Sequence, residues 1–304
     1  MYSCHPKNTV DDAYNCPTLV YPLYNDTFVR KEILYFIAAA NAVNNSHQDN
    51  HRAPWQCVSK LSSDISIDYT LEVPCYGGSD RCALLIAVHQ DRKSIVVSFR
   101  TSTSYSSLQF LHQFLHFVLS KVTRIADTDS YIVKYYYVTF WELFNGGLGG
   151  KLEELLAKYP RYDFLLVGHS LGGAHATIAA YYFQRFYPDR KISIYTFSSP
   201  RVGDAKFVSS IERVQGVEFF RIVRNGDWIP DLPFRISEKA RLTHTRYEAL
   251  YSTTGPGDEP RICLQAEDNT CSRGTWLKDP FTHIRIFQNL HTWYEDGCTK
   301  DTGI

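Results

Sequence analysis

The chain carries no excess of either charge. Its 32 lysines and arginines are matched by 32 aspartates and glutamates over 304 residues, so the formal net charge is zero. There is no run of like charges either, which removes the electrostatic attraction that nucleic acid or an anionic membrane would need. It also lacks the ~18 consecutive uncharged apolar residues of a membrane span. The best stretch, residues 33–43, suits part of a buried helix. Met1-Tyr2-Ser3-Cys4-His5-Pro6-Lys7 has no apolar signal core. Missing too are a C-x-x-C pair, a dinucleotide or P-loop fingerprint, internal repeats and low-complexity tracts. No cofactor is implied. A composition 44% hydrophobic and 14% aromatic excludes a disordered chain.

Cysteine is plentiful: Cys4, Cys16, Cys57, Cys75, Cys82, Cys263, Cys271 and Cys298. Cys75 and Cys82, like Cys263 and Cys271, are separated by loop-forming residues and are expected to close small disulfide loops. The sequons at Asn25-Asp26-Thr27 and Asn44-Asn45-Ser46 fit an exported glycoprotein. A secreted protein is expected, its signal peptide absent from this chain.

Residues 1–25 read as an irregular leader and 26–304 as one α/β domain. Asp26 or Thr27 is placed to cap a helix over 28–43. Residues 83–89 and 94–100 form a hairpin of two strands, and 104–119 is dense in apolar side chains. Helical segments alternate with strands at 164–167, 191–197 and 217–223, the signature of a mostly parallel sheet. Residues 281–294 have helical composition.

The chemistry concentrates at Gly168-His169-Ser170-Leu171-Gly172, a G-x-S-x-G pattern between an apolar strand and an Ala-rich helix. A serine becomes a useful nucleophile when a sharp strand-to-helix turn projects its hydroxyl toward a base. Such a turn strains the serine backbone and brings strand and helix close together, so glycine is required on both flanks. It also puts the Leu171 N–H at a helix N-terminus, where it can stabilise an oxyanion. A carboxylate just beyond the C-terminal end of a sheet strand should orient the base. Asp227, after the strand 217–223, is preferred there over Asp204 and Asp231. Downstream histidines are His175, His244, His283 and His291, of which His175 lies too far along the helix.

In that order the motifs resemble the class 3, or fungal-type, triacylglycerol lipases, and in detail their secreted nematode relatives. The matching residues are Ser98-Phe99-Arg100-Thr101-Ser102, the 168–173 elbow, and Pro200-Arg201-Val202-Gly203. Asn225-x-Asp227-x-Ile229-Pro230-x-Leu232-Pro233 follows with His244 and Glu248, then the cysteine-flanked tail with His291. The resemblance implies an α/β-hydrolase fold with helices on both sheet faces and a helical lid over 104–119. It implies a Ser170–Asp227–His291 triad, with Leu171 and Ser102 forming the oxyanion hole and His244 structural. It adds a Cys57–Cys298 bridge, leaving Cys4 with Cys16. The implied partners are a lipid or other acyl ester and, through the lid, a lipid–water interface. A monomer is expected.

Two departures stand out. Thr101 and Ser198-Ser199 occupy places where the family has Gly and Gly-Gln. Positive φ at residue 101 would be costly for a β-branched side chain and would displace Ser102. At ordinary φ the change is neutral. His112 and His116 are four apart, but Gln113 and the lack of a third ligand argue against a metal. The leading expectation is a lipase acting through an acyl-enzyme. The alternatives are a phospholipase A1 or short-chain esterase, and a lipid-binding protein of lipase fold with impaired catalysis.

Overall fold

Strand burial and strand alternation build the molecule in three layers. The computed structural model describes residues 23–43, 52–78, 80–101, 121–126, 128–233, 240–253, 255, 257–275, 277–290, 293–295 and 297–299. Eight strands make the main sheet, in spatial as well as chain order: β1 (Ile65–Cys75), β2 (Asp80–His89), β3 (Ser94–Phe99), β4 (Asp163–His169), β5 (Ile192–Phe197), β6 (Val217–Arg224), β7 (Glu248–Tyr251) and β8 (Arg261–Cys263). From β3 to β7 every pairing is parallel. The flanking pairs β1–β2, β2–β3 and β7–β8 are antiparallel. This is the α/β-hydrolase fold with a mostly parallel central sheet.

A parallel sheet covered on both faces needs strands that are apolar on both sides. Leu84, Ile86, Val97, Phe99, Phe164 and Leu166 pack into one core. The residues between them, Leu85, Ala87, Val96, Leu165 and Val167, pack into the other. Helices α3 (Lys134–Leu143), α4 (Gly149–Lys158), α5 (Leu171–Phe186) and α6 (Ala205–Glu212) cover the first face. Helix α1 (Leu34–Asn41), α2 (Arg52–Val58) and the C-terminal residues Ile286, Leu290 and Trp293 close the second.

The expected helix over 28–43 begins at Asp26, continues through a π-helical stretch at Val29–Ile33 and ends with α1. Its cap is Asn25, whose side-chain oxygen accepts from the Phe28 N–H at 2.9 Å, rather than Asp26 or Thr27. The β2–β3 hairpin turns through Gln90 and Lys93, with Lys93 at φ 48°.

The C-terminal segment departs from the helix expected over 281–294. A short 3-10 helix, Pro280–Ile284, is followed by a tight hairpin pairing Arg285–Ile286 with Gln288–Asn289. Phe287 at the hairpin tip sits at φ 61°, a conformation incompatible with a continuing α-helix. The reversal buries Ile286 and Leu290 in the second core. Disulfides join Cys57 to Cys298, Cys75 to Cys82 and Cys263 to Cys271. Cys4 and Cys16 lie outside the described residues. Among the described residues no helix is long and apolar enough to cross a membrane.

Candidate active site

Ser170 stands at φ 55° and ψ −120°, between the end of β4 and the start of α5. Close packing explains why glycine flanks it. A Cβ on Gly168 would lie 2.2 Å from the Gly172 carbonyl, and one on Gly172 would lie 2.1 Å from the Phe99 carbonyl oxygen. Both obstacles are backbone, so neither can move aside cheaply. The serine is tied to the neighbouring strand by its own N–H, which donates to the Phe197 carbonyl at the end of β5 at 2.8 Å. Leu171 opens α5, a helix of 16 residues whose first N–H groups have no intrahelical acceptor and face a favourable dipole for negative charge.

The base that meets this serine is His283. Its Nε2 lies 2.9 Å from Ser170 Oγ, and its Nδ1 lies 3.1 Å and 3.2 Å from the two Asp227 oxygens. A carboxylate only accepts, so the Nδ1 carries the proton and the Nε2 lone pair faces the serine hydroxyl. His283 and Asp227 are fully buried and Ser170 nearly so. The assignment of the base to His291 is therefore corrected to His283. His291 itself lies outside the described residues. The expectation came from the resemblance alone; in the structure a chain reversal at Phe287 follows the His283 turn and leads to Leu290 in the second core.

Asp227 is fixed from both sides. Its Oδ1 accepts the Ile229 N–H at 3.0 Å, and its carbonyl accepts from Lys278 Nζ at 3.1 Å. Lys278 also pairs with Asp231 at 2.9 Å. That makes Asp231 a support for the loop and leaves Asp204 outside the site, capping α6 through the Phe207 N–H. Arg201 binds both oxygens of Glu267, at 2.8 Å and 2.9 Å, and reaches the carbonyls of Asp231 and Pro233. Burial works to raise the Glu267 carboxyl, but Arg201 and its neighbours outweigh it and hold the group well below the usual range.

The His283 segment is held by contacts distant in sequence. His169 Nε2 donates to the His283 carbonyl at 2.9 Å, and Arg224 donates to the Arg285 carbonyl at 2.8 Å. Asp279 caps the short helix, accepting from the Phe281 N–H at 3.0 Å. Asp279-Pro280, a cap followed by proline at the first helical position, is the one local signal that marks a turn just before His283.

His244 does not approach Ser170. Its Nε2 donates to the Pro230 carbonyl at 2.7 Å. Burial, with Arg221 and Arg201 nearby, pushes its pKa well below normal and keeps the ring neutral. His175, inside α5, bonds Thr139 Oγ1 through Nε2 at 2.8 Å, and burial lowers its pKa to about 3.

Other expected site residues divide between these regions. Ser102, the lid span 104–119, His112, His116 and Asn44 lie outside the described residues. Thr101 is described, and it is not among the described non-glycine residues with positive φ; Ser198 is, at 49°. Of the two outcomes open for Thr101, the structure gives the neutral one, and the positive φ lies at the other departure from the family pattern. Asn25 is exposed, and its side-chain oxygen serves as the helix cap. Glu248, Cys263 and Cys271 lie close enough to suggest a metal cluster, but the two sulfurs are joined in a disulfide and offer no thiolate.

The chain is similar to known lipases. The family model described as lipase (class 3) matches residues 96–237. A secreted mono- and diacylglycerol lipase from Fusarium solani is 28% identical over 246 residues, covering 79% of this chain and 70% of its own length. The secreted mono- and diacylglycerol lipase A of Penicillium cyclopium is 33% identical over 149 residues, 49% of this chain and 46% of its own. The chain thus spans less than half of that second relative. Lipase II from Rhizopus niveus superposes with a TM-score of 0.72 at 21% identity, over 87% of this chain and 96% of its own, a likeness of fold. These likenesses make the chain similar to class 3 lipases, and the meeting of Ser170, His283 and Asp227 is the geometry of a serine hydrolase.

Proposed function

We propose that the protein is a secreted lipase that cleaves acyl esters of glycerol through an acyl-enzyme on Ser170. The observation that carries this is the His283 ring, 2.9 Å from Ser170 Oγ on one side and 3.1 Å from Asp227 on the other. As Ser170 Oγ attacks the ester carbonyl, its proton passes to His283 Nε2. Asp227 holds the ring in the required tautomer and stabilises the imidazolium. The oxyanion meets the N–H of Leu171 and, by family resemblance, a donor at Ser102. His283 then returns the proton to the departing alcohol. Water, deprotonated by the same nitrogen, releases the fatty acid.

Mono- and diacylglycerols are the favoured substrates, because two of the relatives are named for them. The apolar span 104–119 is assigned as the lid that meets the lipid surface. Three disulfides support an oxidising, extracellular setting.

The test is covalent labelling by a fluorophosphonate, followed by hydrolysis assays on monoacylglycerol, diacylglycerol, triacylglycerol and phosphatidylcholine. Ser170 should be the labelled residue, and Ser170→Ala should abolish both labelling and turnover. An unlabelled protein would favour the lipid-binding alternative. Faster turnover of phosphatidylcholine than of any glyceride would replace the substrate assignment with a phospholipase.

A further inference from the structure

Two parts of the proposed site arrive from opposite ends of the chain. One is the end of β3, where Arg100 and Thr101 lead to the residue assigned as an oxyanion donor. The other is the C-terminal segment carrying His283. A single amide side chain bonds to both. Asn41, the last residue of α1, accepts the Thr101 N–H on its Oδ1 at 3.2 Å. Its Nδ2 donates to the Leu290 carbonyl at 3.0 Å. The two partners fix the amide orientation, since an N–H must face the oxygen and a carbonyl must face the nitrogen.

Each end of this bridge continues toward the reacting atoms. On one side, α1 and β3 are fastened along their length. Ser98 Oγ donates to the Phe36 carbonyl at 2.9 Å, and Arg100 bonds the Val43 carbonyl and, at 2.9 Å, that of Arg81. On the other, the Leu290 N–H donates to the Ile284 carbonyl at 2.9 Å, closing the hairpin that follows directly after the His283 turn. The Asn41 side chain thus has hydrogen bonds both to the Thr101 backbone and to the end of this hairpin.

We infer that Asn41 is a positioning residue that sets the distance between the oxyanion strand and the His283 segment, and so acts on the chemical step without touching substrate. The inference rests on Ser170 being the nucleophile of an ester hydrolase. Catalysis is sensitive to such spacing, because a misplacement of about 1 Å can cost roughly a hundredfold in rate.

The chemistry of the bridge supplies a specific test. Asn41→Ala removes both bonds. Asn41→Asp keeps the acceptor for Thr101 but, when ionised, turns a carboxylate toward the Leu290 carbonyl. Once protonated, the same group can again donate to Leu290 while accepting from Thr101. Wild type and both variants are compared by kcat and KM on a soluble short-chain ester, by the rate of fluorophosphonate labelling, and by thermal unfolding. Rates are expressed per active site and measured across the acidic and neutral range.

Asn41→Ala should lower kcat about tenfold with KM within about twofold, and slow labelling to match. The deficit of Asn41→Asp relative to wild type should shrink as pH falls through the carboxyl range, whereas that of Asn41→Ala should be constant. Unchanged rates in both variants, or a loss confined to the melting temperature, would overturn the inference while wild type still labels at Ser170. Failure of wild type to label would instead remove the underlying reading. If Asn41→Ala does not fold, the pH-dependent ratio for Asn41→Asp decides alone, a flat ratio counting against the bridge.

Discussion

The nucleophile turn and the histidine segment meet at 2.9 Å, yet they are built in opposite ways. The turn is defined locally. Within five residues stand two glycines at which a Cβ would fall 2.2 Å and 2.1 Å from backbone atoms, and the strain falls on Ser170. The histidine segment has little local order of its own: a short 3-10 helix and a two-residue hairpin. It is held by His169, Arg224, Asn41 and Cys57, which lie far away in the chain. Local sterics specify the first region and tertiary contacts the second.

Breaking the local side should have the largest effect on reactivity. Gly172→Ala places a methyl against the Phe99 carbonyl, and the elbow must shift to admit it. A loss of about 3 kcal/mol or more in unfolding free energy is expected, with labelling of Ser170 abolished. Urea denaturation and labelling measure the two outcomes, and a variant that keeps wild-type stability and reactivity would refute the steric account of the glycines.

The distant side is tested through its covalent tie. Cys57 and Cys298 are 241 residues apart, so their bridge removes much freedom from the unfolded chain. The double change to serine should cost about 4–5 kcal/mol. On warming, hydrolysis should be lost before the sheet melts, because the histidine segment is released first. Circular dichroism followed alongside activity would reveal that order, and a single coincident transition would argue against it.

A third comparison concerns protons. His175 lies on the elbow helix, buried and held neutral with its pKa lowered to about 3. In the unfolded chain it would titrate near 6.5, so between these values the unfolded state binds more protons. Its contribution is fully present above about pH 6.5 and is lost as pH falls toward about 3. Stability measured by urea titration should therefore drop on acidification. Replacing His175 with Asn should flatten the slope by about 1.4 kcal/mol per pH unit within that window, and an unchanged slope would exclude the group.

The smallest effects separate the two departures from the family pattern. Ser198 occupies φ 49°, where glycine is at ease and a side chain costs about 1 kcal/mol. Ser198→Gly should therefore raise stability by about that amount. Thr101→Gly should leave ester hydrolysis within about twofold of wild type, since Thr101 is not at positive φ. A large gain in rate from Thr101→Gly would return the strain to the oxyanion strand.

The same division explains what was legible in the sequence. The elbow, Asp227 and the parallel strands follow from short-range rules: glycine spacing, apolar runs, and a carboxylate after a strand end. Strand β1 escaped although Ile65, Ile67, Tyr69, Leu71 and Val73 alternate. A bulge between Ile67 and Tyr69 switches that alternation from one core to the other. His283 escaped because the base was carried over from the resemblance, which implied His291 with His244 as the structural ring. The His283 ring reaches Ser170 from a segment held by distant partners, which no local pattern announces. The Asp279-Pro280 start was present as a signal, but it marks a turn and not a role.

The most direct measurement is a paired substitution, with His283→Ala and His291→Ala compared for hydrolysis of a soluble ester and for fluorophosphonate labelling. Loss of the base should lower kcat/KM by roughly 10⁴-fold or more, so His283→Ala should be nearly inert. His291→Ala should retain wild-type labelling and turnover within about threefold. The reverse pattern, an active His283→Ala and an inert His291→Ala, would contradict the assignment of the base and with it the way this segment is held.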